Sequence, residues 1–129
     1  MSYTLEVCVD STASALAAKE GGADRLELCA DLIVGGTTPS LALVRQVKEI
    51  TGLPVRALLR PRFGDFCYDR WELAQMAASA AELVAAGADG IVTGVLTPDG
   101  ALDVEALRPI YDAAHEAAAK ANRPVALTL

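Results

Sequence analysis

The sequence predicts an α/β fold of the (β/α)8 barrel type, present here as about four βα units plus a fifth strand. First, short aliphatic runs alternate with longer amphipathic segments, as in parallel strands joined by right-handed helical crossovers. Second, the motif Gly-Ala-Asp opens two predicted strands about 65 residues apart, which indicates an internal repeat. A full barrel of this type takes about 250 residues. We therefore expect the 129 residues, as one domain over 1–129, to form the N-terminal half of a barrel.

The first two strands are predicted where aliphatic and polar residues alternate, over residues 5–9 and 25–29. Between them, Asp10 and Ser11 can cap a helix that Gly21 and Gly22 end. The next helix carries Pro39 at the place of a first-turn proline and stops at residues 51–52. A third strand is predicted over residues 55–60.

The remaining elements follow the same alternation. Asp69 and Glu72 form the start of a capping box for a long third helix, which Gly87 ends. A fourth strand is predicted over residues 88–94, and Asp103 can cap a fourth helix. A fifth strand is predicted over residues 124–129.

An open flavodoxin-like sheet is the alternative arrangement of five parallel strands. Such a sheet is covered by helices on both faces, so both faces of its central strands should be apolar. Here Glu6, Glu27 and Arg60 share one strand face with Cys8 and Cys29. A barrel accommodates this pattern because one face packs on the helices and the other points into the barrel. We expect Glu6, Glu27 and Arg60 to pair with one another, because burying them unpaired would be costly.

Composition excludes several classes of function. The net charge of −6 argues against nucleic-acid binding, which needs clustered Lys and Arg. No apolar run is long enough to span a bilayer, and the first residues show no signal-peptide pattern. Cys8, Cys29 and Cys67 are an odd set in an acidic chain, so we expect reduced thiols and a cytoplasmic location.

The carboxyl ends of the strands hold the residues best suited to chemistry. Cys8 and Cys29 fall at matching depths on neighbouring strands, so their sulfurs are expected within a few ångströms. Thiolates are soft ligands that suit Cu(I) or zinc. Two thiols without a CxxC motif do not specify a metal, and two small buried hydrophobic side chains would give the same pattern.

Charged residues at the same rim suggest a second kind of site. Glu6 and Glu27 can act as an acid/base pair, or each can form an interior ion pair. Arg60 and Arg62 can hold a carboxylate or phosphate, with Asp65 nearby in the same candidate pocket, or they can close the rim as an ion-pair network. The glycine-rich segment at residues 35–40 could bind an anion through backbone N–H groups, or be an ordinary loop with a helix cap.

Together these segments resemble the copper homeostasis protein CutC family. The matching segments run in order along the whole chain: 5–11, 21–29, 35–40, 60–62, 64–68, 87–90 and 96–100. The resemblance implies a cytoplasmic TIM-like barrel assigned to copper tolerance or trafficking, often as a homodimer. It also implies Cu(I) as the ligand, with Cys8 and Cys29 at the positions of the proposed cysteine ligands. Family members continue strand five with a segment like Phe-His-Arg-Ala-Phe-Asp, whereas residues 126–129 here are Ala-Leu-Thr-Leu.

Two functions from different classes follow. The first is a copper homeostasis protein that binds Cu(I) through the two rim thiols. The second is a barrel enzyme of unknown reaction that acts on a small anionic metabolite held by Arg60 and Arg62. Because the outer strands of a partial barrel leave unpaired edges, we also expect two copies to associate, or the chain to be part of a longer product.

Overall fold

Five short strands form one sheet in the computed structural model, which describes residues 2–129. The strands are β1 (Glu6–Val9), β2 (Arg25–Leu28), β3 (Val55–Leu58), β4 (Gly90–Val92) and β5 (Ala126–Thr128). All neighbouring strands pair in parallel, in the order β1-β2-β3-β4-β5. This sequential order is that of a barrel arc and differs from the 2-1-3-4-5 order of a flavodoxin-like sheet. The predicted partial barrel is thereby confirmed.

Four helices connect the strands, and side chains cap three of them as predicted. They are α1 (Thr12–Glu20), α2 (Leu41–Thr51), α3 (Arg70–Ala86) and α4 (Val104–Lys120). The Ser11 hydroxyl accepts from the Ser14 N–H, and Asp103 accepts from the Ala106 N–H. Asp69 and Glu72 complete a capping box at the start of α3. Local sequence therefore sets where these helices begin.

The hydrophobic core lies between the helices and one face of the sheet. Residues at alternate positions of the strands, such as Leu26, Val55 and Ile91, are fully buried there. They pack with Val47 of α2 and Met76 of α3. The other face of the sheet carries the polar residues, as the alternation predicts.

The Gly-Ala-Asp repeat performs the same task twice at the amino ends of the strands. The Asp24 carboxylate accepts from the Leu5 N–H at 2.7 Å, just before β1. The Asp89 carboxylate accepts from the Val55 N–H at 2.8 Å, at the start of β3. Each aspartate thus satisfies an N–H that the strand ladder leaves free.

Two local details differ from the sequence prediction. Pro39 precedes the N-cap of α2 instead of standing in its first turn, because Ser40 caps the helix by accepting from the Leu43 N–H. A short 3-10 helix, Leu32–Val34, was not predicted. The helices α3 and α4 have 17 residues each, and no helix in the described part of the chain has the length and hydropathy of a membrane span.

Candidate functional site

The polar face of the sheet is the candidate site, because it brings most of the predicted residues onto one surface. In a complete barrel this face points to the interior, and its carboxyl-terminal rim carries the chemistry. The side chains of alternate strand positions line it: Glu6, Cys8, Arg25, Glu27, Cys29, Arg56 and Arg60.

The two predicted metal ligands lie next to each other. The Sγ atoms of Cys8 and Cys29 are 3.7 Å apart, across the β1–β2 ladder. Cys29 is buried, with 1% of its surface exposed, and its Sγ lies 3.5 Å from the Val9 carbonyl oxygen. Cys8 is exposed. The pair therefore has one thiol open to solvent and one behind it.

Both thiols are held in the protonated form. Burial, together with the contact with Cys8, raises the pKa of the Cys29 thiol to about 12. Burial likewise raises the pKa of Cys8, and the negative charges of Glu27 and Asp10 add to this effect. A neutral thiol is a poor nucleophile, so this arrangement disfavours a catalytic cysteine. A bound cation would reverse the balance, because it stabilises the thiolate.

The two carboxylates of this face have different surroundings. Glu6 forms an ion pair with Arg25 on the neighbouring strand. Glu27 has no ion-pair partner within the described part of the chain, and burial together with the charge of Glu6 raises its pKa. The prediction that Glu6 and Glu27 pair with Arg60 was therefore wrong. Arg25 takes that role for Glu6, because it lies directly opposite Glu6 on the neighbouring strand, whereas Arg60 follows β3.

Arg60 at the end of β3 is hydrogen bonded to carbonyl groups of two loops. Its Nη1 donates to the Gly36 oxygen at 3.0 Å and the Val34 oxygen at 3.4 Å. Its Nη2 donates to the Gly64 oxygen at 2.7 Å, and the guanidinium stacks over the Phe66 ring at 5.0 Å. Arg60 thus joins the loop after β2 to the loop after β3.

Arg62 belongs to a network that closes the rim, the alternative to ligand binding that the sequence left open. It pairs with Glu72 of α3 and with Asp65 at 3.1 Å, and it donates to the carbonyls of Asp65 and Cys67. The hydrogen bond to Glu72 raises the pKa of the guanidinium. The hydrogen bond from the Cys67 N–H, with that from Arg62, lowers the pKa of Asp65. These contacts occupy Arg62 and Asp65 within the protein.

The glycine-rich loop after β2 uses its own N–H groups internally. The Gly35 and Gly36 N–H groups donate to the carbonyls of Leu32 and Asp31, and those of Thr37 and Thr38 donate to Ala30 and Arg60. An anion cradle needs free N–H groups, so this geometry favours the ordinary loop. The loop instead supplies acceptors to Arg60.

Sequence reasoning missed two basic residues of this face, Arg25 and Arg56. Arg56 lies opposite Glu27 in the ladder, but its Nη1 points away and donates to the Thr128 hydroxyl at 3.3 Å. A side chain on Gly90 would collide with Arg56, so this glycine gives the arginine its path across β4. The period-2 alternation that placed Leu26 and Val55 inside would have placed both arginines on the polar face.

Two apolar cavities lie away from the thiol pair, beside β4 and β5. The larger, of about 570 Å³, is lined by Leu107 and Ile110 of α4 and by Leu127 of β5. The smaller, of about 380 Å³, reaches Arg60 and Phe66 at the rim. In a complete barrel the next helix packs beside β5. The larger cavity thus lies beside the outer strand β5, and neither cavity is lined by Cys8 or Cys29.

Residues 3–124 match the model of the CutC family. A protein of that family from Vibrio atlanticus (strain LGP32) is 41% identical over 116 residues, which is 90% of this chain and 47% of the relative. A human copper homeostasis protein cutC homolog is 48% identical over 103 residues, or 80% of this chain and 38% of the relative. The chain thus spans less than half the length of these curated relatives.

Solved structures give the same fold. A CutC protein from Streptococcus agalactiae superposes with a TM-score of 0.82 at 28% identity, covering 97% of this chain and 59% of the other. A 2,3-dimethylmalate lyase superposes with a TM-score of 0.67 at 16% identity, covering 98% and 47%. At that identity the second likeness concerns the fold alone. Among residues 2–129, no group of three or more His, Cys, Asp or Glu side chains is arranged to hold a metal ion.

Proposed function

Because this chain belongs to the CutC family, we propose that it serves copper homeostasis and binds one Cu(I) ion through the thiols of both Cys8 and Cys29. The observation that carries the proposal is the 3.7 Å separation of the two sulfurs. Thiolates are the protein ligands that best match soft Cu(I). Copper is cargo in this proposal and not a resident cofactor.

The sulfur separation suits a bent arrangement. With a metal–sulfur distance of about 2.3 Å, as in zinc thiolates, sulfurs 3.7 Å apart subtend roughly 110° at the metal. A linear two-sulfur site would need them roughly 4.6 Å apart. The bent geometry leaves room for a third ligand from a donor or acceptor molecule. A free coordination position of this kind is needed for copper to pass from one carrier to another.

Uptake of copper should depend on pH because both thiols are protonated. Each thiol must lose its proton to become a ligand, and the pKa of Cys29 lies at about 12. Below that pKa, each released proton makes the affinity rise up to about tenfold per pH unit. We expect Cu(I) affinity to increase steadily from pH 6 to pH 8.

An anaerobic Cu(I) titration against a chromophoric Cu(I) chelator tests the site. The parent chain should bind one ion, and the variants Cys8→Ser and Cys29→Ser should each weaken binding strongly. Cys67→Ser is the matched control, because Cys67 lies in the loop after β3 and outside the pair. Unchanged binding in the double variant Cys8→Ser/Cys29→Ser would remove the proposal.

A barrel enzyme that acts on a small anionic metabolite is the second candidate. Two observations favour it: Arg60 carries a charge that no described carboxylate pairs with, and Glu27 has the raised pKa of a general acid. Arg62 weighs against it, because Glu72 and Asp65 already neutralise it. A phosphate-containing metabolite that raises the melting temperature of the parent, but not of Glu27→Gln or Arg60→Ala, would support the enzyme. The absence of any such compound in a broad screen would count against it.

We also propose that the protein works in the cytoplasm and that two copies of the chain associate, or that further strands of a longer product cover β1 and β5. All three cysteines are free, which suits a reducing compartment. The outer strands present unpaired backbone groups, which favour pairing with another strand. Light scattering should give a mass above that of one chain, and a well-folded species of 13.4 kDa would contradict the association.

A further inference from the structure

The loop between β2 and α2 covers the inner thiol of the pair. After β2 the chain turns through the 3-10 helix and returns, and Ala30 and Thr37 exchange two backbone hydrogen bonds of 2.9 and 2.8 Å. The returning segment places Gly36 against Cys29, so that a Cβ built on Gly36 would lie 3.6 Å from the Cys29 Sγ. This contact explains why Cys29 is buried while Cys8 is exposed.

Gly36 is required for this close approach. Its φ of +92° is a conformation that side chains disfavour, and a Cβ there would lie 2.9 Å from the Leu58 side chain. The loop therefore sits on Cys29 and Leu58 with only backbone between them.

Arg60 is the side chain that holds the loop down. Its guanidinium donates to Gly36 and Val34 in this loop and to Gly64 in the next one. The Arg60 backbone adds three more bonds. Its N–H donates to the Thr38 hydroxyl at 2.9 Å, and its carbonyl accepts from the Thr38 N–H at 3.0 Å and from the Thr38 hydroxyl at 3.1 Å.

Two other arginines near the site form ion pairs with carboxylates. Arg25 pairs with Glu6, and Arg62 pairs with Glu72. The Arg60 guanidinium instead donates its hydrogen bonds to loop carbonyls and not to a carboxylate. A charged donor strengthens each of these hydrogen bonds. The contacts of Arg60 therefore fix the position of the loops, whereas the acidic residues near the thiols affect the pKa values of the thiols.

We propose that Arg60 is the positioning residue of the thiol pair: it clamps the loop of residues 30–38 over Cys29 and so limits access to the inner sulfur. The proposal rests on the proposed copper function for its purpose. Cys8 then meets an incoming ion first, and Cys29 engages when the loop yields. Arg60 itself touches neither sulfur-bound copper nor any reacting atom in this scheme.

The reactivity of Cys29 tests the clamp without any metal. In a Cys67→Ser background, the labelling rates of Cys8 and Cys29 with N-ethylmaleimide are followed by peptide mass spectrometry. Cys8 is the internal reference because it is already exposed. Arg60→Ala should raise the Cys29 rate relative to Cys8 by about tenfold or more, because three charged hydrogen bonds to the loops are lost.

Two further variants make the result specific. Arg56→Ala is the matched control on the same strand and face, and its ratio of rates should equal that of the parent because Arg56 contacts neither loop. Arg60→Lys should give an intermediate ratio, because one ammonium group cannot reach both loops in the way a guanidinium fork does. It also serves if Arg60→Ala fails to fold. A ratio within about twofold of the parent in the folded Arg60 variants would overturn the clamp.

Copper transfer gives a second readout that separates the two proposals. The rate at which Cu(I) passes from the loaded chain to bathocuproine disulfonate should rise in Arg60→Lys and stay unchanged in Arg56→Ala. If the chain binds no Cu(I) but Cys29 labelling accelerates as expected, the clamp stands and the copper function falls. If Cu(I) binds through both thiols and Arg60→Lys changes neither rate, the copper function stands and the clamp falls.

Discussion

The β1–β2 pair and the β3–β4 pair have the same amino ends and different carboxyl ends. At the amino ends, Asp24 and Asp89 make equivalent bonds to Leu5 and Val55, and each aspartate N–H donates back to the same residue's carbonyl. Glu27 and Cys29 stand three and five residues after the aspartate of the first pair. Val92 and Gly94 stand at the same distances after the aspartate of the second pair.

The first strands of the two pairs differ in the same way. Glu6 and Cys8 in β1 correspond, by distance from Leu5 and Val55, to Arg56 and Leu58 in β3. The repeated ends thus hold the sheet together, while the divergent ends carry thiols and carboxylates on one side and arginines on the other. This division agrees with the general rule that barrels keep stability at the amino ends of their strands and chemistry at the carboxyl ends.

Core substitutions should have the largest effect and should not distinguish the pairs. Leu26 and Ile91 stand two residues after the two aspartates, and both are fully buried against the helices. Leu26→Ala and Ile91→Ala should each lower the free energy of unfolding by about 3 kcal/mol, through lost burial and the cavity left behind. Urea denaturation measures both, with the exposed Ile33→Ala as a nearly neutral control. A large difference between Leu26→Ala and Ile91→Ala would break the equivalence of the two pairs.

Substitution of the repeated aspartates should come next and should sharpen the comparison. Both aspartates accept from a backbone N–H, but Asp89 accepts in addition from the Lys48 ammonium at 2.7 Å. Asp89→Ala should lower the free energy of unfolding by roughly 2–3 kcal/mol and Asp24→Ala by about 1 kcal/mol, because hydrogen bonds between charged groups contribute more. If Asp24→Ala proved the more destabilising variant, the ion pair with Lys48 would contribute nothing beyond the shared bond.

The smallest expected effect is the pH dependence introduced by Glu27. Its pKa is raised in the folded chain, so the folded state binds its proton more tightly than the unfolded state does. Stability should therefore fall as the pH rises from the ordinary glutamate value through the raised one. Glu27→Gln should remove this fall and leave the chain more stable at pH 7.

Thermal denaturation between pH 3 and pH 8 measures this effect, with the exposed Glu49→Gln as the matched control. Identical pH profiles for the parent and Glu27→Gln would contradict the raised pKa. They would also remove the main argument for Glu27 as an acid in the second candidate function.

Much of the fold was predictable because it depends on local patterns. Alternating residues such as Leu26 and Glu27 identified the strands and their two faces, and side chains such as Ser11 and Asp103 marked where helices begin. The proximity of Cys8 and Cys29 was also predictable, because neighbouring parallel strands bring equal depths together.

Contacts made by long side chains were not predictable. Arg60 was expected to meet carboxylates and instead reaches loop carbonyls, while Arg25 takes Glu6. An arginine side chain is long enough to reach groups that are distant in the sequence, so its partner depends on where the loops fold back. The path of the loop over Cys29 depends in turn on the positive φ angles of Gly35 and Gly36, which strand and helix patterns do not encode.

The sequential order of the strands has a consequence for synthesis on the ribosome. Each of β2 to β5 pairs with the strand made just before it, so each new βα unit finds its docking edge already present in the nascent chain. Contacts between sequence neighbours keep the contact order low for a parallel sheet, which favours fast folding. The whole thiol pair is therefore present in the nascent chain before β3 is made, since Cys8 and Cys29 belong to β1 and to the end of β2.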